Sequence, residues 1–222
     1  MIDPTATPED RLRAGDAGAA GEVFAACRER LKKMVRLRLD RRLQGRLDAS
    51  DVLQEAFLDV QRKAPDFAAK GMPAYLWLRL IVAERLLILN RRHLGAQTRD
   101  AGREVSLHRG GLPAASTHSL ANLLLGRLTS PTQAAIRAER QLKLQEALNG
   151  MDELDREILA LRHFEELSNT EVATVLGLTK TAASNRYIRA LKRLKEILAA
   201  LPGFDAGAHA GLETWSGSPP SS

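Results

Sequence analysis

The sequence predicts an all-α chain of two small helical domains joined by a flexible linker, the second containing a helix-turn-helix. Three observations lead there. Aromatic residues are only 4% of the 222, Leu, Ala and Arg are abundant, and the β-branched alternation that a strand needs is absent. Apolar residues recur at helical spacing in several separate stretches. A turn-rich segment, RDAGREVSLHRGGLPAASTHS, parts those stretches into two groups, as the length prior of roughly 100 to 200 residues per domain also allows.

The first group is expected to fill residues 15–98, behind a disordered N-terminus at 1–14. That N-terminus, MIDPTATPEDRLRAGD, has no apolar run behind its charges, so no signal peptide is expected. From about Gly18 to Leu43 one long amphipathic helix is predicted. Asp48 or Ser50 can cap the next, DVLQEAFLDVQRKA, with Leu53, Phe57, Val60 and Ala64 on one face and Asp51, Glu55, Leu58 and Arg62 opposite. Pro65 stops it. Pro73 suits the first turn of a third helix running to about His93, in which Tyr75 and Trp77, two apart, face different ways so that one is expected in the core. That segment, LWLRLIVAERLLILN, is broken by Arg79, Glu84 and Arg85 and is too short and too charged to span a bilayer.

Residues 99–130 form the expected linker, with a LANLLLGRL run that has the length for a helical turn or two. The second domain is expected over 131–201. Ser130, Pro131 and Gln133 give a Ser-x-x-Gln capping signal for a helix ending at Gly150, and Met151, Leu154, Ile158 and Leu161 lie on the stripe of another. The tail at 202–222 lacks periodicity and is expected to be disordered.

The stretch LSNTEVATVLGLTKTAASNRYIRALKRL carries the sharpest signal. Ser168 and Glu171 form a capping box, Gly177 ends the first helix, and Thr179 caps the second. On that second helix Ala183, Tyr187, Ala190 and Leu194 form the stripe to be buried. Thr181, Asn185, Ile188, Arg189 and Lys192 fall opposite, with Arg186 and Arg193 flanking. One helix that braces and a second that offers amide and guanidinium groups is the logic of major-groove reading. A face built for solubility would interleave both signs of charge. Six basic residues lie between Lys180 and Lys195, and no acid appears until Glu196. The net charge of +6, with nine basic residues between Arg28 and Arg46, also favours a polyanionic partner.

Two blocks together resemble the sigma-70 family, in its compact extracytoplasmic-function (ECF) form. LDASDVLQEAFLDVQRKAPDF with YLWLRLIVAERLLILNRRH resembles sigma domain two. ALNGMDELDREILALRHFEELSNTEVATVLGLTKTAASNRYIRALKRL resembles domain four. The resemblance implies a subunit that binds core RNA polymerase, reads −35 and −10 promoter elements and assists melting, with no catalysis of its own and no cofactor. It implies that Asp51, Gln54, Glu55, Leu58 and Asp59 meet the clamp coiled coil of the largest polymerase subunit, with the flap of the second-largest as a further contact. It places −10 recognition on the loop from Pro65 to Met72, with Asp66, Phe67 and Lys70, and on Trp77, Arg79, Arg85, Arg91 and Arg92. It places −35 recognition on Thr181, Ser184, Asn185, Arg186, Ile188, Arg189 and Lys192. An anti-sigma factor is a further partner of such proteins, and the location implied is the cytoplasm. The single cysteine, Cys27, fits a reducing compartment. Two positions depart from the family pattern. Glu84 stands where members often carry asparagine, and Thr181, Ala182 and Ala183 replace the common Gly-Thr-Val.

Two other functions compete. ELSNTEVATVLGL before a basic helix also looks like the output domain of LuxR-type regulators, but these carry an α/β domain in front, which the strand-free segment from Gly18 to His93 does not suggest. An enzyme or metal protein lacks a scaffold: His93, His108, His118, His163 and His209 are never three or four apart, and there is no Gly-rich phosphate loop.

Overall fold

The computed structural model describes residues 6–43, 45–94, 114–128 and 134–201. The expected tail, most of the expected linker and the Ser130 to Gln133 capping signal lie outside the described residues. Among the described residues there are helices and 3-10 turns and no β-strand. The chain divides into two units, 1–113 and 114–222.

The first unit packs four helices: α1 (Pro8–Arg13), α2 (Ala20–Arg38), α3 (Ala49–Lys63) and α4 (Ala74–Leu94). α2, α3 and α4 pack against each other pairwise, and α1 lies on α2. The core is made by Leu31, Met34 and Val35 of α2, Val52, Leu53 and Val60 of α3, and Leu78, Val82, Leu86 and Leu89 of α4. α2 stops short of the expected Leu43 because Leu39 turns extended and Asp40 accepts the Arg42 backbone N–H at 2.9 Å in a tight turn. Asp48 caps α3, accepting from the Ser50 and Asp51 backbones, while Asp51 returns a bond to the Asp48 N–H at 2.8 Å. After Lys63, with Pro65 following, the chain passes through two 3-10 turns, Ala64–Asp66 and Ala68–Lys70.

Residues 6–14 are not the unstructured N-terminus that was expected. Thr7 and Asp10 close a capping box at 3.1 and 3.2 Å, Pro8 sits in the first turn, and Leu12 is fully buried.

The second unit holds α5 (Thr117–Leu128), α6 (Ala134–Asn149), α7 (Glu153–His163), α8 (Asn169–Leu176) and α9 (Lys180–Ala200). α5, expected within the linker, packs on α6 through Leu120, Leu124 and Leu125, because an apolar stripe of that width must find a partner. The backbone N–H of Ala115 donates to the buried Glu157 carboxylate at 2.9 Å, which ties the start of this segment to α7. α9 is the hub and packs on α6, α7 and α8.

Candidate nucleic-acid interface

α8, the turn and α9 form as the sequence dictates. Ser168 accepts the Glu171 backbone N–H at 3.2 Å, and the Glu171 carboxylate accepts that of Ser168 at 2.7 Å. Gly177 takes the left-handed conformation, φ 63°, that ends α8 without Cβ strain. The Leu178 N–H then donates back to Ala173 O at 2.9 Å. Thr179 caps α9 by accepting from Ala182 N at 3.1 Å, and the Asn169 amide donates to Lys180 O at 3.0 Å, fixing the start of α9 to the start of α8.

Ala183, Ala190 and Leu194 of the expected stripe are buried, joined by Leu191 and Leu198. Tyr187 is half-buried: its hydroxyl lies 3.0 Å from His163 Nε2, the Arg162 guanidinium sits 5.1 Å from its ring centre, and burial pushes its pKa up. Thr181, Asn185, Arg189 and Lys192 are exposed, Ser184 is half-buried, and Ile188 is 60% exposed. An apolar side chain of that size held in water among cations suits contact with a thymine methyl.

Arg186 behaves differently. Its Nη1 donates to Asp152 Oδ1 at 2.8 Å and Asp155 Oδ1 at 2.9 Å, so the side chain turns to the start of α7 and is half-buried. The two carboxyls shift in opposite directions. Burial pushes both up, but at Asp152 the backbone N–H groups of Asp155 and Leu154, with the Arg186 charge, bring the net shift below its usual value. At Asp155 burial and the neighbouring Asp152 charge prevail and its pKa rises. Asp152, which also caps α7, and Asp155 hold Arg186 together.

On α3, Asp51 and Gln54 are exposed, Glu55 is half-buried and Leu58 is 60% exposed. An exposed leucine beside acids offers a basic partner both apolar area and charge. Asp59 leaves this set: Arg85 of α4 donates to its Oδ2 through Nε at 2.8 Å, and Arg62 also pairs with it. Burial pushes the Asp59 carboxyl up, yet the hydrogen bond from Arg85 and the charges of Arg85 and Arg62 bring the net shift below its usual value. Arg85, further held by Glu55 at 3.7 Å, is thus turned to α3 in the folded chain.

Several residues assigned to −10 recognition are inside the first unit. Phe67 is fully buried, Trp77 and Arg79 nearly so, and the Phe67 and Trp77 rings lie 5.0 Å apart. As they stand, these three cannot touch DNA. Tyr75 is buried too, under the Arg30 guanidinium at 3.7 Å, so both aromatics of the pair are core. The reason is that α4 is covered on two sides, by α2 and by α3, so the angular offset between positions 75 and 77 does not bring either to the surface. Asp66, Lys70, Arg91 and Arg92 remain exposed. Glu84, at the departing position, is exposed and bonded by Lys63 at 2.6 Å.

The sequence reading missed Glu9 and Arg13. Glu9 Oε1 accepts the Ala74 backbone N–H at 3.0 Å, and Arg13 Nη2 donates to Met72 O at 3.1 Å, both at the end of the loop after α3. The Thr-Pro-Glu-Asp run at positions 7 to 10 was the available signal, a capping residue followed by proline and acids.

A helix-turn-helix with an exposed cationic reading face defines a DNA-binding transcription protein, and the comparisons with known proteins refine that class. Residues 141–194 match the family model for Sigma-70, region 4. The ECF RNA polymerase sigma factors SigD of Mycobacterium bovis and Mycobacterium tuberculosis are 31% identical over 188 residues, covering 84% of this chain and 81% of theirs. A solved structure of CnrH in complex with the cytosolic domain of CnrY shares the fold with a TM-score of 0.50 and 20% identity, over 87% of this chain and 96% of CnrH. The chain belongs to the ECF RNA polymerase sigma factors of the sigma-70 family. It directs RNA polymerase to promoters in transcription initiation. A relative matching 84% of the chain, and so most of both units, leaves the LuxR-type alternative unsupported. Among the described residues no helix is long and apolar enough to cross a membrane.

Proposed function

We propose that the second unit reads the −35 element through the exposed face of α9, and that the first unit binds the polymerase clamp and reads the −10 element. One observation carries the −35 reading: Asn185, Ile188, Arg189 and Lys192 stand exposed together while Ala183, Ala190 and Leu194 on the other side of the helix are buried. Asn185 and Arg189 suit base edges and Lys192 suits phosphate; Thr181 and Ser184 complete the face. Arg186 acts from behind it, as a strut to α7.

The clamp surface is Asp51, Gln54, Glu55 and Leu58, with the coiled coil of the largest subunit as its partner and the flap of the second-largest subunit as partner of the second unit. The −10 surface is the loop from Pro65 to Met72, with Asp66 and Lys70 exposed on it and Arg91 and Arg92 beyond. Extracting a base without ATP costs a few kcal/mol, which a shaped loop and nearby cations must offset. Exchanging the loop for one of equal length should therefore change the preferred −10 base, read by permanganate footprinting on a −10 substitution library. The protein acts in the cytoplasm, without catalysis of its own. An anti-sigma factor is proposed as a regulatory partner, on the analogy of CnrH with the cytosolic domain of CnrY. The test of the whole is sequencing of transcripts made by polymerase reconstituted with this chain on a random promoter library. Enrichment of one −35 and one −10 sequence is expected, and equal use of scrambled −35 sequences would contradict it.

A further inference from the structure

We infer that Glu9 and Arg13 of the N-terminal helix are positioning residues for −10 base selection, because α1 holds the loop between α3 and α4 at its backbone and at its buried ring. The inference rests on the proposed −10 role of that loop. Three fixings meet there. Glu9 accepts the Ala74 N–H at 3.0 Å, where α4 begins and a carboxylate also complements the helix dipole. Arg13 donates to Met72 O at 3.1 Å while bonding Glu9 at 3.0 Å, so one ion pair grips the chain on both sides of Pro73, the link into α4. The same guanidinium lies 5.0 Å from the centre of the Phe67 ring, which packs on Trp77.

These contacts leave Ala68, Ala69, Lys70 and Gly71 exposed, with Gly71 left-handed at φ 61° and open space where a Cβ would stand. The loop needs such fixing. Its 3-10 turns have poorer hydrogen-bond geometry than an α-helix, whereas discrimination between bases requires groups held to within about 0.5 Å. α1 is itself held, by buried Leu12 and by Arg11, which pairs with Glu22 and lies 3.8 Å from Asp16. The bond from Arg13 to Met72 and that from Ala74 to Glu9 span 59 and 65 residues, so α1 acts on the loop only once the unit is folded.

The experiment measures transcription by polymerase reconstituted with the full chain on the −10 substitution library. Glu9→Ala/Arg13→Ala should reduce the ratio of preferred to disfavoured −10 base about tenfold, part of what the two charge-assisted hydrogen bonds to the loop supply, with −35 preference and core binding unchanged. Glu9→Gln keeps an acceptor for Ala74 and should restore most of the ratio. Arg11→Gln removes the ties of α1 to Glu22 and Asp16 but leaves buried Leu12 and the Glu9 and Arg13 bonds in place, so it should lower the ratio by less than the double variant does, and an equal or larger fall would overturn the inference. An unchanged ratio in the double variant, where loop exchange does change it, would overturn the inference and leave the loop reading standing. An unchanged ratio after loop exchange itself would overturn both. If the double variant does not bind core polymerase, Arg13→Lys supplies the same readout: it keeps the charge and gives up the planar fork, so the ratio should fall about threefold, and no fall overturns the inference.

Discussion

α9 and α4 are both 21-residue helices rich in arginine and aliphatic residues, and both come from stretches assigned to promoter contact. Their basic residues meet different fates. On α9 Arg189, Lys192 and Arg193 face solvent, whereas on α4 Arg79 is buried and Arg85 is tied to Asp59, leaving only Arg91 and Arg92 exposed near its end. The difference is set by what surrounds each helix. α9 meets α6, α7 and α8 yet keeps Thr181, Asn185, Ile188, Arg189 and Lys192 exposed along one side. α4 is covered by both α2 and α3 and its open stripe carries Leu80, Glu84 and Ile88, so Arg79 falls in the packed part, Arg85 at its margin beside Asp59, and Arg91 and Arg92 reach solvent near its end. A basic residue is therefore evidence of nucleic-acid contact only where it falls on the open stripe of its helix.

The largest effect should come from the exposed side of α3. Asp51→Lys/Glu55→Lys reverses two charges and gives up the Asp51 cap bond and the Glu55 contact with Arg85, but leaves Val52, Leu53 and Val60 in place, so it should abolish capture of core polymerase in a pull-down while circular dichroism stays helical. Binding retained by the folded variant would remove the clamp assignment. Next comes the contrast between core and surface. Trp77→Ala should destabilise the first unit by ~3 to 5 kcal/mol, seen in denaturant unfolding, and should weaken every function of that unit together. A specific −10 defect at unchanged stability would return Trp77 to the DNA face.

The smallest effect concerns acid. The Asp59 carboxyl sits below its usual value in the folded chain, so the pair with Arg85 stabilises fully above the unfolded carboxylate value of about 3.9. That contribution is lost as pH falls through the lower folded value. Asp59→Asn should therefore flatten the fall in thermal midpoint of the first unit below about pH 4, and an identical acid profile would show that α3 and α4 do not depend on the pair.

Much of this was legible in the sequence. Ser168, Gly177 and Thr179 act locally, through bonds to residues within a few positions, and each performs the role its type and spacing suggest. The exposed positions of α9 follow from its periodicity in the same way. Phe67, Tyr75, Trp77 and Arg79 were harder, because the covering of α4 is decided by how α2 and α3 pack, which no local pattern reports. The pairings of Arg186 with Asp152 and Asp155, and of Glu9 with Ala74, join residues 31 to 65 positions apart and are products of tertiary structure. The helix at α1 was visible in its Thr7 to Asp10 capping box; that it would brace a distant loop was not.

The central claim is that the exposed face of α9 selects the −35 element, and binding of reconstituted holoenzyme to cognate and scrambled −35 duplexes tests it most directly. The account predicts that Asn185→Ala and Arg189→Ala each weaken cognate binding by ~1 to 3 kcal/mol per lost base contact with helicity unchanged, narrowing the gap to scrambled DNA. Lys192→Ala should lower the salt slope by about one unit and leave the gap as it was. Equal affinity of the wild-type holoenzyme for cognate and scrambled −35 sequences would contradict the account.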